Sequence, residues 1–342
     1  PDSSPQVVVF YGANDGTLRA INGNRTTAHN GKSAGAEYWA FVPPEFYRHA
    51  RRLYEKKPSV SFIGNPVTDP MPEPKPYGMD GPISAAQEGS DVKLYATMRR
   101  GGRAVYAFNV SNPASPSMLW KKGCPNPASD AGCSTDFDQI GQTWSTVKPM
   151  KTAGYNSGTA TLVIFGGGYD TCEDYDAKAA SGANHNCGST PKGNRIFVLD
   201  GATGAIVRSF TTLRSVPSDV TLVRDSNSLV TYGYAADTGG NVYRISFAGA
   251  PSDWTLTHIA ALGCSSGTSC TPQRKFLFSP SVIALGSDSY GILLGSGDRE
   301  KPVKDYAATH SVQNYFFMLR DSPTSATWLT SESGSCGANR MC

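Results

Sequence analysis

The sequence predicts an all-β fold, and a β-propeller in particular, because one short unit recurs along the chain. The unit is an apolar strand, a tight turn rich in Gly, Asp or Asn, and a second apolar strand. Its clearest copy spans residues 232–245, with the turn at 237–241. The flanks are β-branched and aromatic, which favours strands, while Gly, Asp and Asn suit tight turns. Repeated hairpins are typical of propellers. An array of β-sandwiches is the alternative.

Four further copies of the unit extend this prediction over most of the chain. They span residues 7–22, 94–109, 162–200 and 292–319. The last two of these carry insertions between their strands. Short additional strands are predicted at 37–42, 118–120 and 206–207.

One short helix is predicted, at residues 45–54. It follows Pro43 and Pro44, and proline is favoured in the first turn of a helix. Its apolar residues recur at helical spacing and define one face. They are Phe46, Ala50, Leu53 and Tyr54.

The chain is expected to form a single domain over residues 1–342, with 322–342 as a peripheral tail closed by a disulfide. Its length would allow two domains, but all-β chains often exceed about 200 residues as one domain. The chain opens on a polar segment at Pro1 without a signal peptide, so a mature product or an excised fragment is expected.

The charge pattern argues against nucleic acid as a partner. The formal net charge is +3, and the longest basic runs are pairs such as Arg51-Arg52. Nucleic-acid binding needs clustered basic side chains. The chain also lacks a stretch of about 20 apolar residues, so it is not expected to span a membrane.

Eight cysteines fall into four close pairs, which predicts four local disulfides and a location outside the cytosol. The pairs are Cys124–Cys133, Cys172–Cys187, Cys264–Cys270 and Cys336–Cys342. Zinc binding is the alternative, but zinc sites favour C-x₂₋₄-C spacings that this chain lacks. Bridges this local constrain little of the unfolded chain, so they are expected to shape exposed loops rather than the core.

Seven motifs occur in a fixed order along the chain, and VLDGATG at 198–204 is typical of quinoprotein-like propeller blades. The seven are YGANDGTLRAIN at 11–22, YWAFVPPEFY at 38–47, GGRAVYAFNV at 101–110, GQTWS at 141–145, GGGYDTCEDYD at 166–176, AADTGGNVYRISF at 235–247 and GSGDREKP at 295–302. As a set over residues 7–321, they resemble the C-terminal domain of the PilY/PilC family, the type IV pilus tip-associated adhesins and pilus biogenesis factors.

The resemblance implies a modified seven-bladed propeller with quinoprotein-like blades, exported through the periplasm of a Gram-negative cell to the pilus tip. It implies minor pilins as partners, and a host-cell or abiotic surface as a further one. The implied function is pilus assembly and extension, opposition to retraction, adhesion and twitching motility. The family's N-terminal region is absent from this sequence, which is therefore interpreted as the C-terminal module.

Family members often carry a calcium loop, Asp-x-Asp-x-Asp-Gly-x-x-Asp, just before the first strand of the unit at residues 232–245. In the corresponding segment, 223–231, only Asp225 and Asn227 match. Val223, Ser228 and Thr231 replace the first ligand, the glycine and the last carboxylate. Calcium prefers six to eight oxygen ligands. We therefore predict a degenerate site, and a polar hairpin turn at 225–228 is the favoured interpretation.

A second acidic cluster is the other candidate cation site. It consists of Asp170, Glu173, Asp174 and Asp176, beside Cys172. Four carboxylates on a disulfide-pinned loop fit either a bound cation or a solvated acidic loop, and the sequence leaves both open. No other cofactor is predicted.

The quinoprotein-like pattern makes a PQQ-type quinoprotein dehydrogenase the alternative function, and a glycan-binding propeller is a further one. Many such dehydrogenases use a disulfide between adjacent cysteines, which this chain lacks. It also lacks the G-x-S-x-G and H-E-x-x-H motifs. We therefore predict no catalysis and no catalytic residues. Instead, the loops bracketed by Cys124–Cys133 and Cys172–Cys187 are expected to make partner contacts, since inserted loops on rigid scaffolds commonly bind.

Overall fold

The structure is a computed structural model. It describes residues 6–60, 72–174, 191–265, 270, 273–299, 312–325, 327–332 and 340–342. Within it, internal contacts group the chain into two compact units, Pro1–Asp138 and Gln139–Cys342.

The first unit contains two antiparallel sheets, one of three strands and one of four. The three-stranded sheet consists of β1 (Val8–Gly12), β2 (Leu18–Asn22) and β3 (Glu37–Phe41). The four-stranded sheet consists of β4 (Ile83–Glu88), β5 (Asp91–Ala96), β6 (Arg103–Asn109) and β7 (Ser117–Cys124). In both sheets, strands that are consecutive in sequence are neighbours.

The core of this unit lies on β5 and β6, whose side chains are buried on both faces for most of their length. Tyr106 and Phe108 on β6 pack against Phe41 on β3, with ring centroids 5.2 Å apart in both pairs. Aromatic pairs at this separation add to the stability gained from apolar burial. The core therefore joins the two sheets of the unit.

The predicted helix begins two residues later than expected and is less buried. A 3-10 turn occupies Pro44–Phe46, and α1 spans Tyr47–Glu55. Phe46 is 2% exposed and anchors the segment, whereas Tyr54 is 89% exposed. The apolar spacing predicted the helix correctly, but only its N-terminal end reaches the core.

The second unit contains two four-stranded sheets and one three-stranded sheet, again with neighbouring strands in sequence order. The first consists of β8 (Lys148–Met150), β9 (Leu162–Gly166), β10 (Arg195–Asp200) and β11 (Ile206–Thr211). The second consists of β12 (Thr221–Arg224), β13 (Val230–Ala236), β14 (Asn241–Ser246) and β15 (Thr255–Ala261). The third consists of β16 (Ser281–Gly286), β17 (Ser289–Gly295) and β18 (Phe316–Asp321).

Adjacent sheets of this unit share cores in chain order. Leu162 and Ile196 of the first sheet belong to the same buried cluster as Ile245 of the second. Tyr234 of the second sheet shares another cluster with Ile292 of the third. This succession of small antiparallel sheets, packed face to face, is the blade arrangement expected of a propeller-type fold.

The turn between β13 and β14 requires glycine at position 240. Gly240 has a φ of +79°, and a Cβ at this position would lie 2.3 Å from the Cα of Gly263. Any side chain would meet both the unfavourable backbone conformation and this backbone contact. The turn therefore fixes the approach of the loop that follows β15.

The structure confirms the all-β fold class and places a hairpin at each of the five repeats. It adds strands that the repeat did not indicate, namely β4, β8, β12, β15 and β16. The described residues contain five sheets, and seven blades stay a prediction.

The second unit also includes a short helix and a bridged segment near the C-terminal end. A short helix, α2, spans Trp328–Ser331, and Met341 forms a parallel bridge with Ala260 of β15. None of the helices in the described residues is long and apolar enough to cross a membrane.

Candidate functional site

The best-defined candidate for partner contact is the loop closed by the Cys124–Cys133 disulfide, here called the 124–133 loop. It begins at the last residue of β7, so its first end is fixed in a sheet. Cys124 is fully buried, whereas most of residues 125–132 are exposed. The middle of the loop is thus exposed to solvent, while its first end is fixed in the sheet.

A buried arginine, Arg103, binds the 124–133 loop through its guanidinium group. The Arg103 guanidinium, on β6, donates to the carbonyl oxygens of Ser129 and Asp138, at 3.1 and 2.8 Å. It also forms a 2.8 Å ion pair with Asp130. Arg103 itself is only 2% exposed. Since the guanidinium fork is planar and rigid, the two contacts to Ser129 and Asp130 fix the loop's orientation as well as its position.

Replacing Arg103 by Ala is expected to destabilise the first unit by about 2–4 kcal/mol, because buried charge-assisted hydrogen bonds are lost. Amide exchange at Cys133, whose N–H donates to the Asp130 carbonyl, should accelerate at the same time. Chemical denaturation and hydrogen exchange measure the two effects. The control is Arg25→Ala, at an exposed position of the same unit. Equal, small effects from both variants would contradict the conclusion that Arg103 fixes the 124–133 loop.

The remaining cysteines are only partly within the described residues. Cys264 and Cys270 form the predicted disulfide. Cys172 and Cys342 are also disulfide-bonded. Their predicted partners, Cys187 and Cys336, lie outside the described residues, as does most of the 172–187 loop.

The acidic cluster is built into the protein interior rather than displayed to solvent. Asp170, Glu173 and Asp174 are each no more than 2% exposed, and Asp176 lies outside the described residues. The two carboxylate oxygens of Asp170 accept from the backbone N–H groups of Cys172 and Lys192, at 2.9 and 2.8 Å. Burial raises the pKa of Asp170, and these two donors oppose the rise.

Glu173 is neutralised by two protein cations. Its carboxylate pairs with Lys275 at 2.5 Å and with the Arg214 guanidinium. Asp174 accepts from the Gln142 amide at 2.7 Å. The positive charge that a metal ion would supply is therefore already supplied at Glu173 by side chains from distant parts of the second unit.

The turn that corresponds to the family's calcium loop is held by its own hydrogen bonds. Asp225 Oδ1 accepts from the N–H groups of Asn227 and Leu229, both at 2.9 Å. Ser228, with a φ of +65°, donates its N–H to the Asp225 carbonyl at 3.0 Å. The segment is a tight connection between β12 and β13, and one of the two oxygens of Asp225 is used inside it.

These two geometries predict that calcium at about 1 mM, the weak end of the range for extracellular calcium modules, gives no saturable heat in calorimetry. At Glu173, calcium would have to displace Lys275 and Arg214. At Asp225, it would find one carboxylate oxygen outside the hydrogen bonds of the turn, far fewer than the six to eight oxygens that calcium prefers. Chain treated with a chelator and then dialysed is the starting material, and buffer injections are the control. A saturable isotherm would contradict the prediction.

Potential metal ligands cluster closely at another place in the described residues. Cys124, Asp130 and Cys133 bring their ligand atoms within 4.8 Å of one another. The two sulfurs are joined in the disulfide, and Asp130 pairs with Arg103. The disulfide and the ion pair with Arg103 therefore account for the short distances within this group.

An apolar surface on the last sheet is a second candidate for contact. One face of β16–β18 packs on the core, and the other carries large apolar side chains that are 50–73% exposed. They are Ile283, Leu285, Phe316 and Met318. The strand register places Ile283 opposite Gly291 and Phe316 opposite Gly295. Exposed apolar groups on one face commonly mark interaction surfaces.

Sequence reasoning missed Arg103, Arg214 and Lys275. Arg103 lies inside the GGRAVYAFNV motif and Lys275 follows Arg274, but neither pattern indicates a contact, and each of the three residues acts on a group that is distant in sequence. Lys275, for example, lies 102 positions from Glu173. Low exposure is what singles these residues out, and exposure is visible only in the fold.

Comparison with known proteins agrees with this architecture. No family model matches the chain. It is 27% identical over 247 residues to the type IV pilus biogenesis factor PilY1 of Pseudomonas aeruginosa PAO1, covering 69% of this chain and 16% of that protein. It is 24% identical over 250 residues to the PilY1 homolog of Xylella fastidiosa Temecula1, covering 70% of this chain and 16% of that protein.

The fold also matches a solved structure. The Pseudomonas aeruginosa PilY1 C-terminal domain superposes with a TM-score of 0.57 and 21% identity, covering 94% of this chain and 58% of that domain's chain. The chain thus spans about one sixth of the length of the curated relatives. The matches in sequence, together with the shared fold, support a C-terminal domain of the PilY1 family.

Proposed function

We propose that this chain is a non-enzymatic component of the type IV pilus machinery that acts through protein–protein contact. The relatives named above are pilus biogenesis factors, which supports a role in pilus biogenesis. The observation that carries the contact mechanism is the 124–133 loop. Its exposed residues are held by the disulfide and by Arg103. Such preorganisation reduces the entropy lost on binding.

The finer proposal is that the domain acts outside the cell at the pilus tip, where it binds minor pilins. There it supports pilus assembly and extension, opposes retraction, and aids twitching motility and attachment to host or abiotic surfaces. Local disulfides support an oxidising compartment.

The test is capture of the minor pilins of the same organism by the purified chain. Three proteins are compared: the unaltered chain, a loop variant, and a surface variant carrying Phe316→Ser and Met318→Ser. The loop variant replaces residues 126–131 by Gly and Ser at equal length and keeps both cysteines. We expect the loop variant to lose at least about tenfold in affinity, which corresponds to about 1.4 kcal/mol, and the surface variant to retain binding.

Each outcome is decisive. Failure of the unaltered chain to capture any minor pilin would overturn the proposed partner. Capture by the loop variant but not by the surface variant would transfer the contact to the β16–β18 face. In cells, normal pilus assembly and adhesion after loss of both the 124–133 and the 172–187 loops would overturn the proposal that these loops make the contact.

A further inference from the structure

The last three residues of the chain, 340–342, form a strap along β15, the outer strand of the β12–β15 sheet. The Met341 N–H donates to the Ile259 carbonyl, and the Ala261 N–H donates to the Met341 carbonyl, both at 2.8 Å. The Met341 side chain packs against the core cluster shared by the second and third sheets. The strap thus covers backbone groups at the free edge of β15.

A histidine on β15 holds the strap through a bond that requires its neutral form. The Arg340 guanidinium lies 3.0 Å from Nδ1 of His258, and Nε2 of the same ring lies 2.9 Å from the Ala260 carbonyl oxygen. A guanidinium can only donate, so Nδ1 must be the unprotonated acceptor. A carbonyl can only accept, so Nε2 must carry the proton. The two partners together specify one neutral tautomer.

In the part of the chain that the structure describes, the other groups packed around His258 do not offset a positive charge on it directly. From β14, the ring of Tyr243 lies 5.1 Å away, centroid to centroid. The Tyr243 hydroxyl donates to Asp237, and this carboxylate also accepts from the backbone of Arg214 and Asn241. Burial and the Arg340 charge lower the pKa of His258 to about 4.

We propose that protonation of His258 releases the strap, so that acid uncovers the outer edge of β15. A proton on Nδ1 removes the acceptor used by Arg340 and places two cations about one hydrogen-bond length apart. Release frees the backbone of Arg340 and Met341 from β15. The backbone of Ile259 and Ala261 then becomes available for pairing with another strand, as at any open sheet edge.

The direction of the pH dependence follows from proton linkage. In the closed strap the pKa of His258 is about 4, and in the released state it approaches the ordinary value of about 6.5. Between these values the released state binds more protons, so the strap is at full strength above about pH 6.5 and weakens as the pH falls. The opening equilibrium rises by at most about tenfold per pH unit.

The experiment is amide hydrogen exchange of the whole chain between pH 7 and 4.5, corrected for the intrinsic dependence of exchange on pH. The reporters are the N–H groups of Met341 and Ala261. We expect their protection to fall by up to about 40-fold between pH 6.5 and 4.5. The amides of Tyr234 and Ile245, in the middle strands of the same sheet, are the internal control and should keep their protection.

Two variants isolate the histidine. His258→Gln retains an acceptor for Arg340 but does not titrate, so Met341 protection should become independent of pH. Arg340→Gln should move the midpoint of a proton NMR titration of His258 from about 4 toward about 6.5. Unchanged Met341 protection in the wild-type chain, or the same pH profile in His258→Gln, overturns the proposal. If His258→Gln does not fold, a wild-type His258 midpoint near 6.5 overturns it independently.

Discussion

The Glu173→Gln variant is expected to lose about 3–5 kcal/mol of unfolding free energy, because it removes the buried carboxylate that pairs with both Lys275 and Arg214. Lys275 is 1% exposed and Glu173 is fully buried. Arg214 contacts the other oxygen of the same carboxylate. Glutamine preserves the shape of the side chain, so the loss reports charge rather than packing. Such a loss is a large share of the 5–15 kcal/mol that stabilises a typical protein.

Urea denaturation followed by tryptophan fluorescence measures this effect. The matched control is Glu332→Gln, the same chemical change at an exposed residue of the same unit, which should alter stability by less than about 0.5 kcal/mol. A loss below about 1 kcal/mol in Glu173→Gln would show that the buried cations have other compensation.

The Asp237→Ala variant is expected to lose about 3–5 kcal/mol, because several buried donors lose their acceptor. Asp237 is fully buried. Its Oδ1 accepts from the N–H groups of Gly239 and Asn241, and its Oδ2 accepts from the Arg214 N–H and the Tyr243 hydroxyl. One carboxylate therefore joins the β13–β14 turn to the loop between β11 and β12.

Asp225→Ala provides the control for Asp237, because it makes the same substitution at the preceding turn of the same sheet. Asp225 is exposed, and water can replace the two N–H bonds lost there. We expect a cost of no more than about 1 kcal/mol. Thermal and urea denaturation of both variants measure the difference. Equal losses would mean that the Asp237 contacts contribute no more than an ordinary exposed turn.

The sequence predicted the hairpins of the fold because their information is local. Asp237, Gly240 and Asn241 lie in one turn, and the chemistry of that turn is visible in five consecutive letters. β4 and β8 were missed because their own residues are weak strand signals. β8 has three residues, including Pro149, and β4 is largely small and polar. These strands form because a neighbouring hairpin offers an edge to pair with.

The candidate sites were harder to predict, because their partners are remote in sequence. The acidic letters around Cys172 were visible, but nothing in the sequence indicated that Lys275 and Arg214 would reach Glu173. The 124–133 loop was expected from its cysteines, whereas its second anchor, Arg103, depends on the pairing of β6 with β7. Local chemistry thus indicated both candidate sites, and tertiary contacts supplied the partners that pair with Glu173 and hold the 124–133 loop.

The anchoring of the 124–133 loop has a consequence for its variation among relatives. Inside the loop, Arg103 holds the main-chain carbonyl of Ser129 and the side chain of Asp130, and the loop ends are joined by the disulfide. Of these anchors, the carbonyl contact does not depend on side-chain identity. The other exposed residues of the loop can therefore be substituted while the anchors keep the backbone path. Their side chains can change without a change in the sheet that holds the loop.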